Sequence, residues 1–327
     1  MPNDGWEGRG RRYLHAMTTA HASHPKRPPG ASKNLLKAGY AALVTNVGIV
    51  VTGGVVRVSG SGLGCAEWPR CEPGSYTPTE SVFEDLHAAI EFGNRLLTFV
   101  VLGAALWFLW EVRRSRGLPT LVTRIAWILP LGVVGQAVIG GITVLTGLQW
   151  YTVSVHFLAS MLLIALAVAA VHALRSDPGQ SPAPTGLRHA ATAIAVIAFL
   201  VLILGTFVTA AGPHGGDVNA PRIGLPIGTL AIAHAHGVWM LLGTSLVTLL
   251  IARQLHQQHL VRAIGALLAI SVAQGGVGYL QYWLGIPAEL VSLHIIGASL
   301  VWLATARMWV VAHRPERARH AEDAVVG

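Results

Sequence analysis

Eight stretches of mainly apolar residues recur along the chain, at approximately 36–57, 86–110, 125–146, 151–174, 190–211, 228–252, 262–284 and 289–312. Each is long enough to cross a bilayer as a helix, which takes ~20 such residues. Inside a bilayer the backbone must satisfy its own hydrogen bonds, so a chain of this pattern is confined to helices packed side by side. Of 327 residues, 53% are hydrophobic and 12% charged, which leaves little chain for a soluble domain. The expected fold class is an all-α integral membrane protein with eight transmembrane helices, whose constant partner is the lipid bilayer.

The formal charge of +8 could suggest nucleic acid as a partner. The positions of the charges exclude it. Lys and Arg gather before the first stretch (Arg9, Arg11, Arg12, Lys26, Arg27, Lys33, Lys37), between the second and third (Arg113, Arg114, Arg116, Arg124), around the sixth-to-seventh connection (Arg253, Arg262) and at the end (Arg307, Arg314, Arg317, Arg319). All these segments fall on one side, and the positive-inside rule makes that side cytoplasmic. The opposite connections carry Glu67, Glu72, Glu80, Glu84, Asp85, Asp217 and Glu289. A multi-pass plasma-membrane protein with both termini cytoplasmic is therefore expected. Residues 1–34 lack a short apolar core with a cleavage site, so they read as a basic, disordered leader rather than a removed signal peptide. Trp150, Tyr151, Tyr282 and Trp283 at outer span ends, and Trp110 and Trp309 at inner ones, fit interfacial aromatic belts.

Self-comparison reveals a repeat. Gln136 and His156 recur as Gln274 and His294 at an offset of 138, and Val153-Ser154-Val155-His156 echoes Val291-Ser292-Leu293-His294. Val51-Thr52 likewise returns as Val208-Thr209. An even number of helices per unit makes the repeats parallel. Two four-helix bundles follow, over 35–174 and 190–312, joined by a cytoplasmic linker at 175–189 and followed by a tail at 313–327.

Ionisable groups inside spans are costly and point to function. His156, His234 and His294 stand five or six residues into the fourth, sixth and eighth spans, and Glu91 with Asn94 five to eight into the second, roughly 8–12 Å below the outer surface. Two neutral imidazoles facing each other in an apolar bundle suit axial ligation of haem iron; the alternative is a hydrogen-bonded bridge between helices. His236 competes with His234, because two positions along a helix turn ~200° and only one of them can face His294. On the second span His87, Glu91 and Asn94 form one stripe, with Arg95 one turn beyond Glu91. Glu91 could exchange a proton with a substrate, or it could pair with Arg95 and fix helix packing. His87, nearer the surface, reads as a solvated interface residue. Cys65 and Cys71, the two cysteines, lie in the first outer loop, where an oxidising side permits a disulfide, either a staple or a redox-active pair.

The segments Val51-Thr52-Gly53-Gly54-Val55-Val56-Arg57 and Glu91-Phe92-Gly93-Asn94-Arg95, the loop from Gly62 to Cys71 and the histidine pattern together resemble the haem A synthase family, in an actinobacterial-type form, over about residues 36 to 312. The resemblance implies an oxidoreductase that converts the C8 methyl group of haem O to the formyl group of haem A. It further implies haem b in the C-terminal bundle, held by His234 and His294 with Arg57 among the cofactor-binding residues. Haem O as substrate belongs in the N-terminal bundle, with His156 facing its iron and Glu91, Asn94 and Arg95 in the catalytic set. Cys65 and Cys71 would be the outer-loop disulfide. A haem O synthase that supplies the substrate, and an electron acceptor or donor, are the implied partners. Two departures stand out: Asn94 occupies the place where many members carry a second histidine, and the third outer loop, 212–227, lacks cysteines.

Two other classes compete. A di-haem b-type electron carrier would need histidine pairs in both halves, and Asn94 argues against it. A transporter built from repeats would favour helices broken midway at Gly or Pro, whereas most glycines are read here near span ends.

Overall fold

Each apolar stretch forms one continuous helix in the computed structural model, which describes residues 32–79, 86–175 and 182–313. These are α1 (Lys33–Val58), α2 (Leu86–Arg114), α3 (Thr120–Leu145), α4 (Trp150–Arg175), α5 (Thr185–Ala211), α6 (Ile227–Gln254), α7 (Gln258–Trp283) and α8 (Ala288–Ala312). All eight are long and apolar enough to cross a membrane. No strand occurs among the described residues. Residues 1–31, 176–181 and 314–327 of the expected leader, linker and tail lie outside the described residues, as do Glu80, Glu84 and Asp85.

Helix ends run past the apolar windows, because caps rather than hydropathy fix where a helix begins. The Ser32 hydroxyl accepts from the Leu35 N–H at 3.0 Å, so α1 starts at Lys33 rather than near 36. Pro184 stands at the N-cap of α5, which opens at Thr185 rather than near 190. At its other end α2 continues to Arg114, since arginine stems can follow apolar surface while their heads reach water.

The repeat expected from the sequence is present in three dimensions. In the first half α1 packs on α2 and α4, α2 on α3, and α3 on α4; in the second, α5 to α8 pair in the same pattern. Between halves α4 meets α8, while α1 on α8 is matched by α5 on α4, the contacts expected of two parallel bundles related by an axis along the helices. The indole N–H of Trp302 crosses that seam to the Met161 carbonyl at 2.7 Å. Helices α3 and α7 end alike. The Leu148 N–H donates to Thr143 O and the Ile286 N–H to Gln281 O, with Gly147, Leu148, Gly285 and Ile286 all at positive φ.

Burial divides each bundle by depth. On α4 the buried positions begin at Met161 and on α8 at Ser299, again 138 apart, and run to the ends away from the Cys65–Cys71 loop. Phe108, Ile125, Leu129, Ile164, Ile194, Ile264 and Met308 fill that end with fully buried side chains. The other end is not packed solid. There the helices enclose a cavity of about 1570 Å3 that runs through both halves. Outward-facing side chains such as Trp283, 76% exposed, and Trp110 stand at the helix ends, as an aromatic belt requires.

Candidate functional site

Three glycines shape the cavity walls. A Cβ on Gly140 of α3 would stand 3.2 Å from Cε1 of His156, one on Gly278 of α7 would stand 3.1 Å from Cε1 of His294, and one on Gly205 of α5 would stand 3.3 Å from Cε1 of His234. Each imidazole is thus seated with one edge against a bare backbone. Gly48 of α1, which precedes Gly205 by the same 157 residues that separate Thr52 from Thr209, meets nothing within 4 Å. These glycines lie inside unbroken helices, Gly140, Gly205 and Gly278 each five or six residues from the helix end. Their absent side chains make room for rings rather than break the helices.

His234 and His294 come together from α6 and α8, with ring centroids 6.4 Å apart and planes at 61°. Between the two sequence alternatives, the ring that meets His294 is that of His234; His236 lines the same cavity from an exposed position. His234 Nδ1 is hydrogen-bonded to the Val201 carbonyl at 3.1 Å. The buried Nδ1 atoms of His156 and His294 have no hydrogen-bond partner. Behind them the glutamines repeat: Gln136 donates to His156 O at 3.2 Å and Gln274 to His294 O at 2.8 Å, tying α3 to α4 and α7 to α8 at ring depth.

The chemistry open to this arrangement is narrow. Two imidazole nitrogens on opposite sides of one metal, at about 2.0 Å each, place the ring centroids roughly 6.3 Å apart. The observed separation fits. No group of three or more His, Cys, Asp or Glu able to hold a metal ion occurs among the described residues, so a pair of histidines needs a ligand that brings the remaining donors itself. A porphyrin iron does so. The cavity also exceeds the ~300–1,000 Å3 usual for one small ligand, and its lining includes His156 as well as His234 and His294.

In the first half the partner position differs. Asn94 lines the cavity, and its side-chain oxygen accepts from the Thr52 hydroxyl at 2.7 Å. That half therefore presents one imidazole, His156, and an amide drawn toward α1.

Glu91, 5% exposed, is fully engaged. One carboxylate oxygen accepts from the Cys65 N–H at 2.7 Å, and the other accepts from Arg95 Nε at 3.0 Å and Nη2 at 2.5 Å. Arg95 in turn donates to the carbonyls of Cys65, Glu67 and Arg70 at 2.7 to 2.9 Å. The ion pair read from the i, i+4 spacing is real, and it fastens the disulfide loop to α2 rather than one helix to another. Cys65 and Cys71 are bonded to each other, and between them Trp68 lays its indole over Gly141, where any side chain would collide. Trp68 and Pro69 line the cavity. His87 is exposed and pairs with the Ser61 hydroxyl at 2.9 Å, which adds a second tie between α2 and this loop. Arg57 reaches from α1 into the second half, donating to His214 O at 2.7 Å and Thr209 O at 3.0 Å.

The glycine seats, Trp68, Thr52 and Arg222 were not among the site residues read from the sequence. Gly140 and Gly278 carried a signal, since both precede their histidine by 16 positions and share the 138-residue offset. Arg222 belongs to a loop that does not repeat and carries no signal in the sequence, whereas Trp68 stands in the Gly62 to Cys71 segment that carries the resemblance.

Residues 38–214 match the model of the COX15-CtaA family, described as cytochrome oxidase assembly protein. The chain is similar to a heme A synthase from Symbiobacterium thermophilum, 29% identical over 256 residues that cover 71% of this chain and 81% of the relative. It is also similar to a heme A synthase from Lysinibacillus sphaericus, 31% identical over 175 residues, 51% of this chain and 55% of that relative. The family match ends before α6 and α8, so the pairing of His234 with His294 rests on the geometry of this chain.

Proposed function

We propose, from the premise that this chain belongs to the COX15-CtaA family of cytochrome oxidase assembly proteins, that it is a membrane oxidoreductase of haem A biosynthesis. Its substrate is haem O, whose C8 methyl group becomes the formyl group of haem A. The facing pair His234 and His294, in a cavity that continues to His156, is the observation that carries the reading. Haem b would be held by that pair in the half spanning 190–312, where it would supply one-electron chemistry. The half spanning 35–174 takes the substrate, with His156 toward its iron.

Turning a methyl into a formyl group, with water as the oxygen source, releases four electrons to the acceptor and four protons to solvent, so a site for it must hold the porphyrin still while leaving water access to it. His156 offers the single imidazole that would hold the substrate iron, and Asn94, tied to Thr52, gives this half no second one. Trp68 and Pro69 roof this half, and Glu91 with Arg95 holds the roof. Glu91 contributes to turnover in this reading as a positioning residue whose carboxylate also lines the cavity. The Lys and Arg distribution supports a plasma-membrane location with both termini cytoplasmic and the cysteine loop outside. A haem O synthase as supplier and a separate electron acceptor complete the proposal.

The test is the pigment extracted from membranes that express the protein beside a haem O source. Haem A should appear, and should vanish in His156→Ala. Unchanged haem O, in membranes whose protein still shows the spectrum of histidine-ligated haem, would overturn the assigned reaction.

A further inference from the structure

Two arginines line the cavity together, and among the described residues no acid pairs with either of them. Arg57, in the last turn of α1, fixes its guanidinium on the carbonyls of His214 and Thr209. Arg222, in the loop between α5 and α6, lays its guanidinium over Gly215, the residue next to His214, so closely that any side chain there would collide with it. The two are electrostatic neighbours, and both line the cavity. Asp217, the acid of the same loop, accepts from the Asn219 N–H at 2.8 Å and pairs with neither arginine. Among the described residues the ion pair is Glu91–Arg95, on α2 beneath the other loop.

Carbonyl oxygens accept hydrogen bonds from a guanidinium but do not neutralise its charge. Two like charges beside a low-dielectric wall repel, and the repulsion grows as water is excluded. The fold nevertheless brings the two together, since Arg57 crosses from one half to the other and Arg222, exposed in its loop, lies over Gly215. What such a pair suits is an anion, and a planar carboxylate best, because it matches the guanidinium fork. Behind the arginines the cavity is mainly apolar and lined by four histidines, His156, His234, His236 and His294. A ligand with an apolar body and carboxylates on one edge fits both regions at once.

We propose that Arg57 and Arg222 form a carboxylate-binding site on the cavity wall that takes the propionate groups of a bound porphyrin. The proposal rests on the haem reading above. It adds that one subsite is built from both halves, since Arg57 belongs to α1 while its anchoring carbonyls and Arg222 belong to the second half.

The experiment uses the full chain, purified from cells starved of haem, titrated with haem b and with its dimethyl ester, in which the carboxylates are neutralised. Arg57 holds backbone carbonyls, so the variants are Arg222→Gln and Gly215→Ala, the second leaving the charge in place but pushing the guanidinium aside. Haem b should bind the wild type at least ~10-fold more tightly than the ester does, the order expected for hydrogen bonds to charged groups. Both variants should lose most of that advantage while binding the ester as before. Equal affinities of haem b and ester for the wild type, or haem b affinity unchanged in both variants, would overturn the proposal. Failure of the haem reading would look different: no low-spin spectrum with either ligand, or one that survives His234→Ala.

Discussion

His294 rests the Cε1 edge of its ring on Gly278, where a Cβ would stand only 3.1 Å away. The contact places the ring of α8 against the backbone of α7 and directs it toward His234, and His156 is seated on Gly140 in the same way one repeat earlier. Ring position is thus set by an absent side chain as much as by the histidine itself.

Gly278→Val should therefore displace the ring and weaken the low-spin haem spectrum, although the histidine is untouched. Gly265 lies on the same helix with nothing within 4 Å of its would-be Cβ. Gly265→Ala should leave the spectrum intact and stabilise α7 by up to about 1 kcal/mol. Identical spectra for Gly278→Val and wild type would show that the seat does not matter.

Replacing His234 or His294 by Ala should abolish the low-spin b-type spectrum of the purified protein, whereas His236→Ala should retain it. The ring contact of His294 with His234 motivates the distinction. Loss of the signal in His236→Ala with retention in His234→Ala would reverse the assignment.

Asn94→His places an imidazole in the half where Asn94 lines the cavity and is bonded to Thr52. With haem O supplied, that variant should gain a second low-spin component and lose haem A output, because the side opposite His156 becomes occupied. Full activity together with an unaltered reduced-minus-oxidised spectrum would count against an open side in the wild type.

Glu91→Gln removes the charge that holds Arg95 and, through it, three carbonyls of the disulfide loop. Breaking a buried pair costs ~3–5 kcal/mol, and partial exposure of Arg95 reduces this. The expected outcome is faster proteolysis within residues 60–79 and reduced haem A output, with haem b content close to normal. Haem b loss in step with activity would instead assign the pair to global stability.

After reduction of the Cys65–Cys71 bond, an impermeant thiol reagent should label sealed right-side-out membranes. The positive-inside rule motivates this expectation. Labelling confined to ruptured membranes would invert the topology.

By itself the sequence determined the eight spans, their number and the duplication, because hydropathy over some 20 residues and a fixed 138-residue offset are local or periodic properties that need no contact to be read. It also determined that His156, His234 and His294 lie at one depth, since depth follows from position along a helix of known rise. Rotation about the helix axis and loop placement are another matter, and there the tertiary structure decided. It turned His234 rather than His236 toward His294, joined Glu91 and Arg95 to the cysteine loop, and set Trp68 over Gly141 and Arg222 over Gly215. Those contacts join residues far apart in the chain whose side chains are individually unremarkable, and glycine shows its role only when the neighbour that fills its space is known. In a bilayer, where lipid is as apolar as the helix faces, close packing and a few hydrogen bonds choose the rotation. None of those terms is written in one helix alone.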